Sequence, residues 1–302
     1  MKKRFSKTKY IPILLILPAI VMLFLLIIFP LIWSFFTSLK RMTLLDLMLH
    51  KGKYIGFQNY VNIFKDSLFW NSLKNAFIFV ALSVIGQVGF GLLLASILHD
   101  KSIKGPGIFR AIFLIPWIIS SVVAAYSWTY IFDANLGFLP ALAYNNPILK
   151  FLGFERKDWL TNPSIVIYIL VVINIWKGTA FSILMQSAGL QSIPDSLYES
   201  SEVDGATTLQ KFVFITLPLL MPFILINLII TTMITFNVYD LILLITGGGP
   251  NHASEVLSLY IYNRGFSWGD LGYAASLSLV LLIVNLTVTV LYLVFLRSRE
   301  TS

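Results

Sequence analysis

Six long apolar runs, separated by shorter segments that hold nearly all of the charge, make up the pattern of this chain. They cover residues 10–36, 76–98, 112–132, 165–185, 222–246 and 274–296. A helix needs about 20 mostly apolar residues to cross roughly 30 Å of hydrocarbon, and a helix satisfies its own backbone there. Each run therefore predicts one membrane-spanning helix. The expected fold is an all-α polytopic membrane protein forming one transmembrane domain over residues 1–302. An even number of spans puts both termini on one side. The first run outlasts the roughly 7–15 apolar residues of a signal peptide and ends on Trp33-Ser34-Phe35-Phe36 instead of small residues, so it reads as a retained anchor.

Composition sharpens this picture by exclusion. Hydrophobic residues make up 57% of the chain and charged residues 12%, where a soluble domain carries about 25% charge. So little charge rules out a soluble globule, a disordered chain and, despite the net charge of +8, a nucleic-acid binder. The positive excess is orientation charge in the loops of a chain surrounded by membrane lipid. Lys and Arg totals barely differ between the two sets of loops, so the leader decides. Lys2, Lys3, Arg4, Lys7 and Lys9 stand beside the first span with no acid among them. Both termini are therefore expected in the cytoplasm, with loops 99–111 and 186–221 inside and loops 37–75, 133–164 and 247–273 outside. The chain has no cysteine, hence no disulfide, thiolate metal site or cysteine nucleophile. His50, His99 and His252 fall in or beside loops on opposite sides, so they cannot share a metal and read as surface residues.

The inner loop 186–221 carries most of the information. Pro194 suits the opening of a helix, where its missing N–H costs nothing. Asp195, Glu199 and Glu202 follow near that helix start, where the dipole favours anions. Gly205 can take positive φ and end the helix. A second short helix over 207–214 follows, and Pro218 leads into the next span. The predicted result is a helix–turn–helix lying along the inner surface. Helices that merely lie on a membrane carry basic polar faces, because the inner leaflet is anionic. This one carries Asp195, Glu199, Glu202 and Asp204 before its single Lys211. Its acidic face, which includes Leu197, Ser200 and Ser201, is suited to docking on a protein, and Phe212, Val213 and Phe214 are apolar enough to anchor the other half.

Glu199-Ser200-Ser201, then Gly205, then Ile215-Thr216-Leu217-Pro218 resembles the Glu-Ala-Ala signature of ABC importer membrane subunits, with serines in place of the two alanines. The flanking residues 188–194 and 204–206, Gly247-Gly248-Gly249-Pro250 and Gly56-Phe57-Gln58-Asn59-Tyr60 are similar to the carbohydrate-uptake branch of that family, which includes the maltose-type permeases. The resemblance implies that the loop between spans four and five is a coupling helix seated on a cytoplasmic ATPase. Glu199, Ser200, Ser201, Asp204 and Gly205 would form that contact, with Glu199 pairing or capping and Gly205 making the turn. It also implies the partners: a second homologous permease, two ATPase subunits and an extracellular solute-binding protein, at the cytoplasmic membrane of a prokaryote. ATP and Mg would be bound by the partner ATPase, leaving this chain without a cofactor and without enzymatic activity of its own. Consistently, the sequence has no Gly-x-x-x-x-Gly-Lys-Ser/Thr phosphate loop. The implied cargo is a mono- or oligosaccharide, with glycerol phosphate or a polyol as the alternative. An ion-driven transporter would want buried carboxylates, and within the spans only Asp240 offers one.

Polar residues inside spans are the candidates for the substrate path, because each is costly in lipid. On the fifth run, Thr232, Thr235 and Tyr239 recur at i, i+3 and i+7 and share a helical face, with Asn237 and Asp240 nearby. On the fourth, Asn174 and Lys177 qualify, and Asp240 is the acidic counterpart of Lys177 within the spans. Against this, threonine also bonds back to its own helix, and Asp240 also suits an interface. Trp117, Trp128, Trp176 and Trp268 fit an interfacial belt or, as the second choice, platforms for sugar rings.

Overall fold

The computed structural model describes residues 11–49, 51–100, 103–144, 146–151 and 158–300, with side chains from residue 15 to residue 294. The five leader cations, on which the cytoplasmic placement of the termini rests, lie outside the described residues, as do His50, Lys101, Arg156 and Lys157. Among the described residues, five helices are long and apolar enough to cross a membrane: Leu15–Ser38, Ser67–His99, Val166–Gln191, Thr208–Phe236 and Leu271–Val294. A bent pair, Pro106–Ile118 and Ser121–Ile131, accounts for the remaining predicted span. The chain divides into two compact units, Met1–Asp66 with Ile261–Leu282, and Ser67–Tyr260 with Ile283–Ser302.

In the first unit the chain leaves the first span and folds back through a short antiparallel pair, Lys40–Arg41 with Lys53–Tyr54. Between these strands Thr43 and Asp46 form a capping box. The Asp46 carboxyl is held below the usual carboxylate range, first by the Thr43 backbone N–H and then by the Thr43 hydroxyl. The Gly56–Tyr60 segment has a physical role here. Asn59 Nδ2 donates to the carbonyls of Ser38 (2.8 Å) and Lys40 (3.0 Å), and Tyr60 Oη lies 2.8 Å from Ser38 Oγ. The Asn59 bond to Ser38 satisfies one of the carbonyls that the helix Phe29–Ser38 leaves unpaired at its C-terminus. Gly272 is required where a Cβ would stand 2.1 Å from the Lys40 carbonyl oxygen. Arg264 pairs with Asp66 at 3.0 Å and lies over the rings of Trp268 (4.8 Å) and Tyr273 (4.4 Å), so Trp268 has a cation partner within the protein.

In the second unit the second and fourth spans approach closely. A Cβ on Gly86 would stand 2.3 Å from Ile175 Cδ1, one on Gly178 2.3 Å from Gln87 Oε1, and one on Gly91 2.3 Å from Ser182 Cβ. Lipid is as apolar as leucine, so spans associate through small residues and interhelical hydrogen bonds. Both are present. Gln87 Nε2 donates to the Asn174 carbonyl at 3.0 Å, Gln186 Nε2 donates to the Val88 carbonyl at 3.0 Å, and Ser182 Oγ donates to Asn227 Oδ1 of the fifth helix at 3.2 Å.

Several predicted boundaries are corrected. The run 112–132 is not one straight helix but turns by 94° between Ile118 and Ser121. Pro116 removes a backbone donor, Ile119 is extended, and Ser120 starts a new helix by accepting from the Val123 N–H at 3.3 Å. The run 222–246 is also interrupted. Its helix ends at Phe236, Asn237 turns its side chain onto the Met233 carbonyl (2.7 Å), and a short helix restarts at Asp240–Ile245. Local side-chain bonding of this kind competes with helix continuation. The inner loop is shorter than 186–221, because the fourth helix runs to Gln191 and the fifth begins at Thr208.

The second span starts at Ser67, well before residue 76. Its added turns carry Asn71 and Asn75, which donate to the His252 carbonyl at 2.8 and 3.1 Å and so hold the Gly247–Pro250 loop. His252 is exposed, as read from the sequence, and its ring is hydrogen-bonded to the buried Glu255. Gly247 and Gly248 have φ of +61° and +89°, which explains two of the three glycines.

Candidate functional site

Both helix breaks of the second unit open onto one cavity of about 680 Å³, within the usual range for small-molecule sites. The fourth span contributes Asn174, Lys177 and Phe181, spaced i, i+3 and i+7 on one face. The fifth helix and its break contribute Thr235, Asn237 and Asp240. Trp117 and Ser121 come from the two arms of the bent pair, and Gln87 from the second span. Lys177 Nζ donates to Ser121 Oγ, and Asp240 lines the same cavity. Asn174 is 5% exposed and its Nδ2 has no hydrogen-bond partner in the protein. A buried donor without a partner costs on the order of 1–3 kcal/mol, so a ligand hydroxyl at this point would be favoured.

Five of the seven candidate span residues, Asn174, Lys177, Thr235, Asn237 and Asp240, thus meet in one place. The other two do not line the cavity. Thr232 is buried with its hydroxyl 3.2 Å from Tyr292 Oη. Tyr239 falls after the break, at the N-cap of the short helix, so the shared face inferred from the i, i+7 spacing is lost. The tryptophans divide as well. Trp128 stacks on Phe132 and meets Trp176 edge-on at 5.5 Å in a core cluster, whereas Trp117 faces the cavity with Phe181, ring centroids 6.5 Å apart. Phe181 and Ser121 were not among the sequence candidates. Phe181 was legible as the residue one turn beyond Lys177, while Ser121 needed the bend.

The inner loop forms the expected first helix and turn, but the expected second short helix, 207–214, is the start of the fifth span, Thr208–Phe236. Its first helix is Asp195–Val203, with Pro194 at the N-cap. Gly205 takes φ of +75°, donates to the Glu202 carbonyl at 3.0 Å, and is followed by an Ala206 N–H bond to the Ser201 carbonyl at 2.9 Å. That is the glycine-terminated helix end expected of the position. Thr207 and Gln210 cap the second helix, Thr208–Lys211. Lys211 Nζ to Glu202 Oε1 (2.7 Å) and Tyr198 Oη to Thr216 Oγ1 (2.9 Å) tie the first helix to the start of the fifth span. Ser200 and Ser201 donate to the carbonyls of Leu197 and Tyr198, so their hydroxyls are used within the helix. Glu199 and Asp204 are exposed. So are Val203 (89%) and Leu209 (72%), which flank the Gly205 turn and were missed in the sequence because neither belongs to a periodic apolar face.

Comparison with known proteins gives the family. Residues 87–300 match the family described as binding-protein-dependent transport system inner membrane component. The chain is 34% identical over 300 residues to the trehalose/maltose transport system permease protein MalF of Thermococcus litoralis, covering 98% of each. It is 33% identical to the sulfoquinovosyl glycerol transport system permease protein SmoG of Agrobacterium fabrum, covering 97% of this chain and 92% of that one. A chain of a bacterial alginate ABC transporter, solved with a periplasmic protein bound to an alginate pentasaccharide, superposes with a TM-score of 0.77 at 26% identity, covering 95% and 93% of the two chains. This multi-pass membrane protein belongs to the family of binding-protein-dependent transport system inner membrane components, the permease subunits of ABC importers.

Proposed function

We propose that the chain forms one half of a carbohydrate path across the cytoplasmic membrane of a prokaryote, beside a second, homologous permease. In this reading both termini and the Asp195–Val203 helix lie on the cytoplasmic side, and each permease rests on an ATPase that binds ATP and Mg. A solute-binding protein outside delivers the cargo. The observation that carries the proposal is the convergence on one cavity of an unpartnered Asn174 amide, the Asn237 amide, a threonine hydroxyl and the rings of Trp117 and Phe181. Amides match sugar hydroxyls, and aromatic rings match the apolar faces of pyranoses. The maltose, sulfoquinovosyl glycerol and alginate systems of the relatives support a carbohydrate cargo.

The coupling follows from the loop. ATP binding would draw the two ATPases together and, through Glu199, Val203 and Leu209, move the inner ends of spans four and five. The cavity, which takes residues from those two spans, would then change the side to which it opens.

Asn174→Ala tests the cavity. It removes one neutral hydrogen bond, worth about 0.5–1.5 kcal/mol, so the half-saturation concentration for uptake should rise about three- to tenfold. Membrane level and retention of partner subunits should not change. Unaltered uptake kinetics would contradict the assignment of the cavity as the substrate path.

A further inference from the structure

The cavity contains one cation and one anion. Among the described residues, Lys177 and Asp240 are its only charged lining side chains. Their positions make each dependent on the other. Lys177 donates to Ser121, the first residue of the helix Ser121–Ile131. The N-terminal end of a helix carries partial positive charge and disfavours a cation. A lysine there, at membrane depth, needs an anion nearby. Asp240 supplies it, standing in the first turn of the helix that restarts after the fifth-span break, where the dipole favours a carboxylate. The two charges therefore stand at the two chain breaks that open the cavity, and they sum to zero.

What remains for a ligand is uncharged chemistry. Asn174 Nδ2, one helical turn from Lys177, is a buried neutral donor without a partner. Trp117 and Phe181 offer ring faces. An anionic ligand drawn to Lys177 meets the repulsion of the Asp240 carboxylate in the same cavity. We propose that Lys177 and Asp240 cancel one another in the cavity wall and set this permease to pass uncharged carbohydrates in preference to phosphorylated or sulfonated ones. The inference rests on the cavity being the substrate path, and it makes the pair a determinant of specificity.

The absence of cysteine from the sequence makes the charge of the cavity directly measurable. Asn237→Cys places a single, exposed thiol in the lining. The full-length chain, purified from membranes with its co-expressed partner subunits in mild detergent, is reacted with three methanethiosulfonates: sulfonatoethyl (anionic), trimethylammonioethyl (cationic) and hydroxyethyl (neutral). Each rate is divided by that of the same reagent with a free thiol, and the neutral reagent corrects for access and thiol reactivity in every variant. With the pair intact, the anionic and cationic reagents should react within about threefold of one another. A unit charge in a cavity of this size shifts the local concentration of a singly charged reagent by about fivefold. Asp240→Asn should therefore raise the anionic-to-cationic rate ratio at least about tenfold, and Lys177→Met should lower it by a similar factor. The double variant should return to the parent ratio. A ratio that neither single change moves by more than about twofold, while the neutral reagent still reacts, overturns the charge-balance proposal alone. Failure of the neutral reagent to react with the parent overturns the substrate path as well.

Discussion

Gly205→Pro is expected to abolish uptake and transport-stimulated ATP hydrolysis by the assembled importer while leaving the chain in the membrane at its normal level. Gly205 has φ of +75°, and proline is locked near −65°. Proline also lacks the N–H that Gly205 donates to the Glu202 carbonyl at 3.0 Å. Both effects fall on the turn that sets the angle between the helices Asp195–Val203 and Thr208–Lys211. Space is not the obstacle, because a Cβ at Gly205 would meet nothing within 4 Å. Gly205→Ala is therefore the control. It meets only the left-handed backbone penalty of about 1–2 kcal/mol and should keep much of the activity. Glu199→Lys separates docking from folding. Glu199 is exposed, so reversing its charge costs the fold little, yet it should uncouple ATP hydrolysis from uptake. Vesicle uptake, ATPase rate and an immunoblot of the membrane fraction measure all three variants. Full uptake in both Gly205→Pro and Glu199→Lys would remove the coupling role from this loop.

The second large effect is expected at Gly91, where the second and fourth spans pack. Its Cβ would stand 2.3 Å from Ser182 Cβ and 3.0 Å from the Ser182 backbone carbon, and backbone within a packed helix cannot swing aside. Gly91→Leu must push the second and fourth spans apart. Overpacking alone costs about 1–3 kcal/mol or more, and the separation also strains the Gln87–Asn174 and Gln186–Val88 bonds beside it. The purified protein should melt several degrees lower in detergent, and the membrane level should fall. Gly89→Leu, two residues away on the exposed side, meets nothing within 4 Å and should be silent in both assays. Equal melting temperatures for the two variants would contradict the close packing of these spans.

The contrast between Gly89 and Gly91 shows where sequence reasoning stops. Hydropathy is a property of each segment, so the apolar runs were legible, and so was an acidic loop whose charge is wrong for lipid. The partner of a glycine is a property of the tertiary fold, and nothing local separates Gly91 from Gly89. Periodicity failed where it assumed an unbroken helix. Thr232, Thr235 and Tyr239 share a face on paper, but the break after Phe236 removes Tyr239, and Thr232 is taken up by Tyr292. The bend at Ile119–Ser120 was hidden for the opposite reason, because its residues are apolar enough to pass as one span. Asn174, Lys177 and Asp240 survived because a polar residue at membrane depth needs a reason for being there wherever the helix breaks fall.

The central claim is that the segment around Glu199 is the point at which a cytoplasmic ATPase grips this permease. Ser200→Cys places a sole thiol on that segment of an otherwise cysteine-free chain. The measurement is cross-linking from this thiol in membranes containing the complete importer, with and without ATP. The account expects one dominant adduct, to the ATPase subunit, whose yield changes on nucleotide binding, and no labelling of the thiol by an impermeant reagent added outside the cell. Labelling from outside, or an ATPase that co-purifies without ever cross-linking at this position, would contradict it.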